Sequence, residues 1–492
     1  MIATPTPAHP PRLATGAAAD ADAPAQPLRQ RVYRQLRDAI EAGSLAPGAR
    51  LPASREHAGL LGVSRNTVLW AVARLQAEGY LVARVGDGTY VAERAAAVRA
   101  GARRTGLVAH QQLSRRGRLI AETGLRWAPV TGPALPFRPG RPALEEFPFD
   151  AWQRLERRTC ARARIDAAGY AEPAGHPALR AAIAQWLFVS RGVRCDPGQV
   201  LITAGAQQAL DLVTRLLLDV GDEALIEDPG YGGTRAVLAA QGAVARPVRI
   251  DAEGMDIAHA AAQWPGARLA VVTPTHQFPL GVRMSLARRR ALIEWARASS
   301  AWIVEDDYDG EFQYGPHRSP ALCSMAHDAR VIYAGTFSKS LGGGLRIGFL
   351  VLPDALVDAF ARARALSDRQ SPGALQEVLA RFITDGYLTS HLHRMRELYA
   401  RRQAFLVETL ARATQGAIAL APSRQGMHLA FEIPPGQRDT ALSQRAAEAG
   451  LQLAPISAYC LEARRRGWLF GYAGFDEPTL ARAARALGRL LR

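Results

Sequence analysis

The segment Tyr333-Ala334-Gly335-Thr336-Phe337-Ser338-Lys339-Ser340, followed by a glycine-rich run and Arg346, decides how this chain is read. Lys339 is the one lysine among 61 Lys and Arg residues. Exchange of Lys for Arg across a surface is tolerated, because either side chain solvates a face. That leaves one resistant position to explain. A guanidinium stays protonated and cannot form a Schiff base, whereas a primary amine with a lowered pKa can. Arginine would serve in a salt bridge or as a phosphate clamp. Imine chemistry with an aldehyde is what it cannot supply. Chance survival of a single lysine is the competing account, and the neighbouring residues weigh against it.

Upstream, Ala301-Trp302-Ile303-Val304 predicts a short buried strand that ends in Glu305-Asp306-Asp307-Tyr308-Asp309. Carboxylates at the C-terminal edge of a parallel strand stand where open α/β sheets bind ligands. Val331-Ile332-Tyr333-Ala334 predicts a second such strand, delivering Ser338 and Lys339 to the same edge. Arg346 follows across a glycine-rich turn, placed to hold an anion near the amine. A lysine for an aldehyde, an aspartate for a pyridinium nitrogen and an arginine for a phosphate together specify pyridoxal 5′-phosphate.

At 492 residues the chain is too long for one ordinary domain. A hydrophobic content of 48% with regular apolar periodicity implies a folded protein with a sizeable core. No apolar run reaches the length of a membrane span, and the N-terminus lacks a charged start followed by an apolar stretch, so no membrane association is expected. Cys160, Cys195, Cys323 and Cys460 are scattered without a CxxC pair, which excludes a zinc ribbon and fits a reducing cytoplasm. No metal site is expected. The net charge of +16 is uneven. Residues 1–133 contain 18 Arg against 9 Asp and Glu, a balance of +9, which leaves +7 for the other 359 residues. A small basic module on a large, nearly balanced body suggests a polyanion-binding head.

Residues 1–27, rich in Ala, Pro and Thr, read as a disordered tail. From 28 to 42 apolar residues recur at helical spacing (Val32, Leu36, Ile40), and Gly43 can end that helix. Ser54 is expected to N-cap a second helix running to Leu61, and Ser64 a third running to about Glu78. Gly62-Val63 between them is the tight turn of a helix-turn-helix. Residues 79–92 predict a β-hairpin around Asp87-Gly88. The whole of 28–93 reads as a winged helix-turn-helix. Ser64, Arg65, Asn66 and Thr67 at the start of the third helix suit phosphates and base edges, and Arg55 and Arg84 complete a basic face. A merely solvated basic surface is the alternative. Leu51-Pro52-Ala53-Ser54-Arg55-Glu56, Leu61-Gly62-Val63-Ser64-Arg65-Asn66-Thr67-Val68 and Glu78-Gly79-Tyr80 resemble the DNA-binding domain of GntR-type regulators. Residues 94–133 lose periodicity, carry Arg103-Arg104 and Arg115-Arg116-Gly117-Arg118, and read as a flexible basic linker.

From residue 134 to 492 strands and helices alternate. Val200-Leu201-Ile202-Thr203 runs into Ala204-Gly205-Ala206-Gln207-Gln208, a strand meeting a helix N-terminus through small residues, which offers backbone N–H groups to a phosphate. Ala224-Leu225-Ile226-Glu227 ends at Asp228-Pro229-Gly230-Tyr231, a turn able to project an aromatic ring over a planar ligand. Leu269-Ala270-Val271-Val272 leads into Thr273-Pro274-Thr275-His276-Gln277-Phe278-Pro279. Together these strand ends point to one shared site in an α/β body.

This body, with Asp306-Asp307-Tyr308, Gly335-Thr336-Phe337-Ser338-Lys339 and His276-Gln277-Phe278-Pro279, resembles the fold-type I (class I-like) aminotransferases, a PLP-dependent transferase fold. The fused arrangement resembles the MocR/GabR subfamily of GntR regulators. The resemblance implies that Lys339 forms the internal aldimine and Asp306 pairs with the pyridine nitrogen. It implies that Tyr308 approaches the phenolic oxygen, Tyr231 stacks on the ring and Arg346 holds the phosphate, assisted by Ser338, Thr336 and the Gly205-Ala206-Gln207 backbone. It further implies a homodimer binding paired half-sites of double-stranded operator DNA and responding to a small-molecule effector: an amine, an amino acid or PLP itself. The alternative is an active aminotransferase that carries a DNA-binding module.

Departures from the family pattern favour the sensor, with turnover expected to be very slow or absent. Phe278 precedes Pro279 where aminotransferases commonly place Asn, and Ala206 stands where a phosphate-binding hydroxyl is often found. Near the C-terminus Trp468-Leu469-Phe470-Gly471 occupies the place of the arginine that grips an α-carboxylate. Arg464, Arg465 and Arg466 are expected to be solvated, while Arg424 is a candidate to reach inward.

Overall fold

Val32, Leu36 and Ile40 repeat at helical spacing along α1 (Leu28–Glu41) and are buried there with Leu61, Val68 and Leu75. The computed structural model describes residues 27–93, 113–123, 134–162, 169–315, 319–326, 330–434 and 436–492. They fall in two compact units divided after Gln112.

In the smaller unit α1 is followed by α2 (Ser54–Leu61), α3 (Arg65–Ala77) and a hairpin of β1 (Leu81–Arg84) and β2 (Gly88–Val91). Left-handed Gly62 closes α2, as its freedom at positive φ allows. Ser64 caps α3, its Oγ accepting from Thr67 N at 3.2 Å. Two local expectations shift. The N-cap of α2 is Ala53, without a side-chain bond; Ser54 is the first helical residue, and its Oγ instead accepts from Arg65 Nε at 3.1 Å. The hairpin closes with Arg84 opposite Gly88, so its loop is residues 85–87 with left-handed Gly86, not a turn centred on Asp87-Gly88.

Within the expected linker, α4 (Arg115–Glu122) is a helix of the larger unit, whose next helices are α5 (Phe149–Arg162), α6 (Pro177–Arg191), α7 (Ala206–Leu217), α8 (Gly232–Gln241) and α9 (Ile257–Gln263). It lies against α8. Ser114 caps it, accepting from Gly117 N at 3.1 Å. Eight residues containing three arginines give no apolar repeat, which is why periodicity is silent here. Residues 94–112 and 124–133 of the linker and 1–26 of the tail lie outside the described residues.

The larger unit is built on an eight-stranded sheet in the order β3-β10-β9-β8-β7-β4-β5-β6. Its strands are β3 (Val200–Thr203), β4 (Glu223–Asp228), β5 (Val244–Asp251), β6 (Gly254–Met255), β7 (Leu269–Val272), β8 (Trp302–Asp307), β9 (Val331–Thr336) and β10 (Gly348–Val351). Strands β5, β4, β7, β8 and β9 run parallel. β7, β9 and β10 are buried along their whole length, the signature of a sheet covered on both faces. The remaining helices are α10 (Leu286–Ser299), α11 (Asp354–Asp368), α12 (Gly373–Thr384), α13 (Tyr387–Ala413), α14 (Asp439–Glu448) and α15 (Glu477–Leu490). One apolar core contains Leu210 and Val213 of α7 and Phe360 of α11. Another contains Leu292 and Trp295 of α10. A smaller antiparallel sheet, β11 (His428–Glu432), β13 (Gly467–Gly471) and β12 (Ala454–Pro455), packs with α13 and α15. Among the described residues no helix is long and apolar enough to cross a membrane.

β10 runs antiparallel to both of its neighbours, with Gly348 opposite Thr203 of β3 and Thr336 of β9. The ends of β3 and β9 therefore meet the start of β10 at one edge. Gly335 pairs with Phe349, and a Cβ there would meet the Phe349 ring at 2.2 Å. Gly335→Ala should lower the urea midpoint of this unit by the equivalent of about 1–3 kcal/mol through overpacking. An unchanged midpoint would contradict the packing described.

Candidate cofactor site and candidate nucleic-acid interface

Lys339 sits in the helical turn Ser338–Gly342 directly after β9, and its Nζ donates to Gly140 O at 3.0 Å. Burial lowers its pKa from the ordinary lysine value, against the opposing pull of Asp309 and Asp306. Gly140 is at φ +69°, and a Cβ on it would lie 2.8 Å from Nζ, so glycine is what lets the backbone approach the amine.

Alternation along β8 sends its carboxylates to different partners. Glu305 accepts from Leu322 N and Cys323 N, each at 2.8 Å. Asp307 accepts from Arg191 Nε at 2.7 Å and Tyr333 OH at 2.6 Å. Asp306, between them, is buried, and its Oδ1 has no hydrogen-bond partner. Burial, then the charges of Asp307, Glu227 and Asp309, push its carboxyl up to about 7. A protonated ring nitrogen would supply the missing partner. The residues present fit pyridoxal phosphate on this point.

Tyr308 OH lies 2.9 Å from His276 Nδ1, and that same nitrogen lies 2.9 Å from Asp309 Oδ2. Tyr231 is the N-cap of α8, and its OH donates to Gln207 Oε1 at 3.1 Å. A Cβ on Gly233 would strike both Gln207 and the Tyr231 ring, so this glycine is what allows the ring its position. Phe278, in place of the expected Asn, packs edge-on against Tyr231 and Tyr308 at 6.3 and 6.1 Å.

Gly205, at φ +96°, is the N-cap of α7, and Ala206 and Gln207 open the helix. Their N–H groups point out of a helix N-terminus, which favours an anion. A Cβ on Gly205 would come within 3.3 Å of the Arg346 guanidinium. Arg346 donates to Ala204 O at 2.5 Å and occupies φ +52°, a region non-glycine residues rarely adopt. Thr336 Oγ1 donates to Ser338 Oγ at 3.0 Å on the adjoining turn. All ten expected cofactor residues thus meet at one sheet edge. Gln207 differs from expectation only in that its side chain is also engaged, joining Tyr231 to Gly233 O.

Neighbours that the sequence reading did not assign include His276 and Asp309, just described, and Glu227. Glu227 is buried and accepts from Thr273 N and Thr273 Oγ1 and from Gln277 Nε2 at 3.2 Å; burial pushes it up to about 7. His276 and Gln277 stand inside a quoted motif, and that was the available signal. At the position expected for a carboxylate-gripping arginine, Trp468, Leu469 and Phe470 of β13 are all buried. Arg465 is tied to Glu432 through Nε and NH2, facing away from this role.

In the smaller unit Arg55, Ser64, Arg65, Asn66 and Arg84 are exposed and Thr67 is half-buried. Ser64 and Thr67 are engaged with each other, Oγ to Oγ1 at 2.9 Å. Arg84 stacks over Tyr90 at 4.6 Å in the wing.

Residues 140–487 match the family model for aminotransferase class I and II, and residues 28–91 match that for bacterial regulatory proteins of the gntR family. The probable rhizopine catabolism regulatory protein MocR of Rhizobium meliloti is 38% identical over 470 residues, 95% of this chain and 94% of the relative. This chain belongs to the MocR/GabR subfamily of GntR-type regulators. An uncharacterized HTH-type transcriptional regulator, YhdI of Bacillus subtilis strain 168, is 33% identical over 456 residues, 92% of this chain and 93% of the relative. The crystal structure of LysN, an alpha-aminoadipate aminotransferase from Thermus thermophilus complexed with N-(5′-phosphopyridoxyl)-L-leucine, superposes with a TM-score of 0.67. It is 29% identical and covers 77% of this chain and 95% of LysN. The protein is a transcriptional regulator whose larger unit is a pyridoxal-phosphate-dependent, aminotransferase-like body.

The raised pKa of Asp306 has a sign that can be tested. A carboxyl raised above its unfolded value contributes stability below the ordinary carboxylate range and loses it as pH rises through about 7. Cofactor-free protein should therefore melt at lower temperature at pH 8 than at pH 5. Asp306→Asn should make that fall shallower, leaving the part due to Glu227, Glu305 and Glu311, which burial also raises. Identical pH slopes for the two proteins would contradict the unpartnered state of Asp306.

Proposed function

We propose that the body senses a small amine through Lys339 and that this changes how two DNA-binding heads of a homodimer engage operator DNA in the cytoplasm. The observation that supports it most is the single lysine of the chain, half-buried and bonded to the Gly140 carbonyl at the edge where Asp306 Oδ1 lacks a partner. When bound, pyridoxal phosphate supplies an aldehyde able to condense with a primary amine. Lys339, with its ammonium form disfavoured by burial, would be the nucleophile that anchors it.

The other residues bind and orient. Asp306 holds the ring nitrogen, and Tyr231 covers one face of the ring. Arg346, Ser338, Thr336 and the N–H groups at Gly205, Ala206 and Gln207 hold the phosphate. Tyr308 meets the phenolic oxygen, and His276 with Asp309 fixes its hydroxyl. The linker between sensor and reader is then shorter than residues 94–133, since α4 belongs to the larger unit.

The buried apolar stretch of β13 favours an effector without an α-carboxylate, since a carboxylate buried without a cation is costly. It favours equally the reading in which PLP itself is the signal. Ordinary α-amino acids should then bind weakly, with 2-oxoglutarate-dependent transamination far below the roughly 1–10³ per second of working enzymes. Stopped-flow or coupled assays showing enzyme-like turnover would promote the aminotransferase reading.

Titration of full-length protein with amines, following visible absorbance and operator binding together, tests the proposal. Both should respond in the wild type, and both responses should vanish in Lys339→Arg. An operator response that survives in Lys339→Arg would refute it. Independently, Arg65→Ala should weaken operator binding, by roughly 1–3 kcal/mol of discrimination if it reads a base, with cofactor absorbance retained. Loss of salt slope with unchanged specificity would make Arg65 a phosphate contact, and unchanged binding would remove it from the interface.

A further inference from the structure

Beside the cofactor site lies a cavity of about 480 Å³ lined by Arg283, Ser423, Arg424, Gln425, His276 and His428, among others. Its size is that of a small-molecule pocket. It adjoins the cofactor site through shared side chains: His276 is bonded to Tyr308, and His428 feels the charge of Lys339. Among the described residues no carboxylate lines it. Arg283 is half-buried, and its Nε donates to Gln425 Oε1 at 2.9 Å. Gln425 is itself buried and held by Gly281 O, so the guanidinium is oriented from behind. Arg424 is exposed, and its side chain makes no ion pair or hydrogen bond among the described residues. The buried His276 Nε2, on the same wall, also lacks a partner.

Arg283 and Arg424 give the cavity a cationic wall. Burial lowers the pKa of Arg283, and the charges of Arg424 and then Arg191 lower it further, so the two guanidiniums of the pocket repel each other. His428 adds no charge: burial holds it down to about 3, and it bonds to Pro279 O. Two guanidiniums lining one pocket with no carboxylate among its lining residues leave room for one, and a carboxylate is the partner their planar forks fit.

We propose that Arg283 and Arg424 form an anion subsite for a carboxylate-class group, next to but separate from the cofactor's phosphate cup. The carboxylate comes from the far end of an amine effector seated at Lys339 or from a free acid. The link to Lys339 rests on the amine-sensing reading; anion binding by itself does not.

Calorimetric titration of full-length, cofactor-loaded protein with glutarate tests the subsite. Binding should weaken roughly 10- to 150-fold in Arg424→Gln and in Arg283→Gln, the range for losing a charge-assisted bond, and recover in part in Arg283→Lys. Arg424 is exposed, so its variant should melt as the wild type does, which separates a lost contact from a lost fold. Absence of glutarate binding, or equal affinity in wild type and both Gln variants, overturns the proposal. Pentylamine and 5-aminopentanoate, compared by their effect on visible absorbance, distinguish the sources. A preference for the acid that disappears in Arg424→Gln assigns the carboxylate to the effector. Equal responses, with arginine-dependent glutarate binding, assign it to a free acid. If neither amine changes the absorbance while glutarate still depends on both arginines, amine sensing fails and the anion subsite stands.

Discussion

The site depends on the burial of several carboxylates around the end of one parallel strand. Glu305, Asp306, Asp307, Asp309 and Glu311 are all buried, as is Glu227 on β4, two strands away. Buried charge must be paired, hydrogen-bonded or neutralised. The chain answers residue by residue: backbone N–H groups for Glu305, Arg191 and Tyr333 for Asp307, His276 for Asp309, and Thr273 with Gln277 for Glu227. Asp306 Oδ1 is left over. Asp307 Oδ1 and Glu311 Oε2 also lack partners, but Asp307 is held through Oδ2 by Arg191 and Tyr333; Asp306, which feels the charge of Lys339, would be the carboxylate open to a cationic ring nitrogen. Removal of Arg191 would expose how much this arrangement rests on the pairing, since breaking a buried ion pair from one side costs about 3–5 kcal/mol.

Strand order then does the assembly. Because β10 runs between β3 and β9 in the opposite sense, residues far apart in sequence (Gly205, Thr336, Ser338 and Arg346) share one corner. The close approach of Gly348 to Gly205, where a Cβ would come within 2.8 Å, fixes how near the helix N-terminus stands to the arginine. This corner, where a phosphate would be held, is thus a product of pairing register as much as of the residues that line it.

Much of this was legible from residue types. A lone lysine after a strand, an aspartate after another and an arginine across a glycine-rich turn leave few chemistries, and the helix, cap and wing signals in residues 28–93 follow one another in order. What was hidden depends on contacts between distant segments. Whether Asp306 or its neighbours face the ligand is a matter of strand alternation plus partners at positions 191, 322 and 333. The engagement of Gln207 with Tyr231 requires a glycine at 233 to make room. Helix α4 escaped because a short stretch rich in arginine has no apolar period, and Arg283 escaped because nothing near it in sequence marks it as facing Arg424.

The central claim is that Lys339 is where the cofactor is attached. Purified protein loaded with pyridoxal phosphate should be reduced with borohydride, digested and analysed by mass spectrometry. The account predicts one side chain carrying the phosphopyridoxyl mass, Lys339, with loss of the visible band. A band that resists reduction, or a protein that binds the cofactor yet leaves Lys339 unmodified, would contradict it.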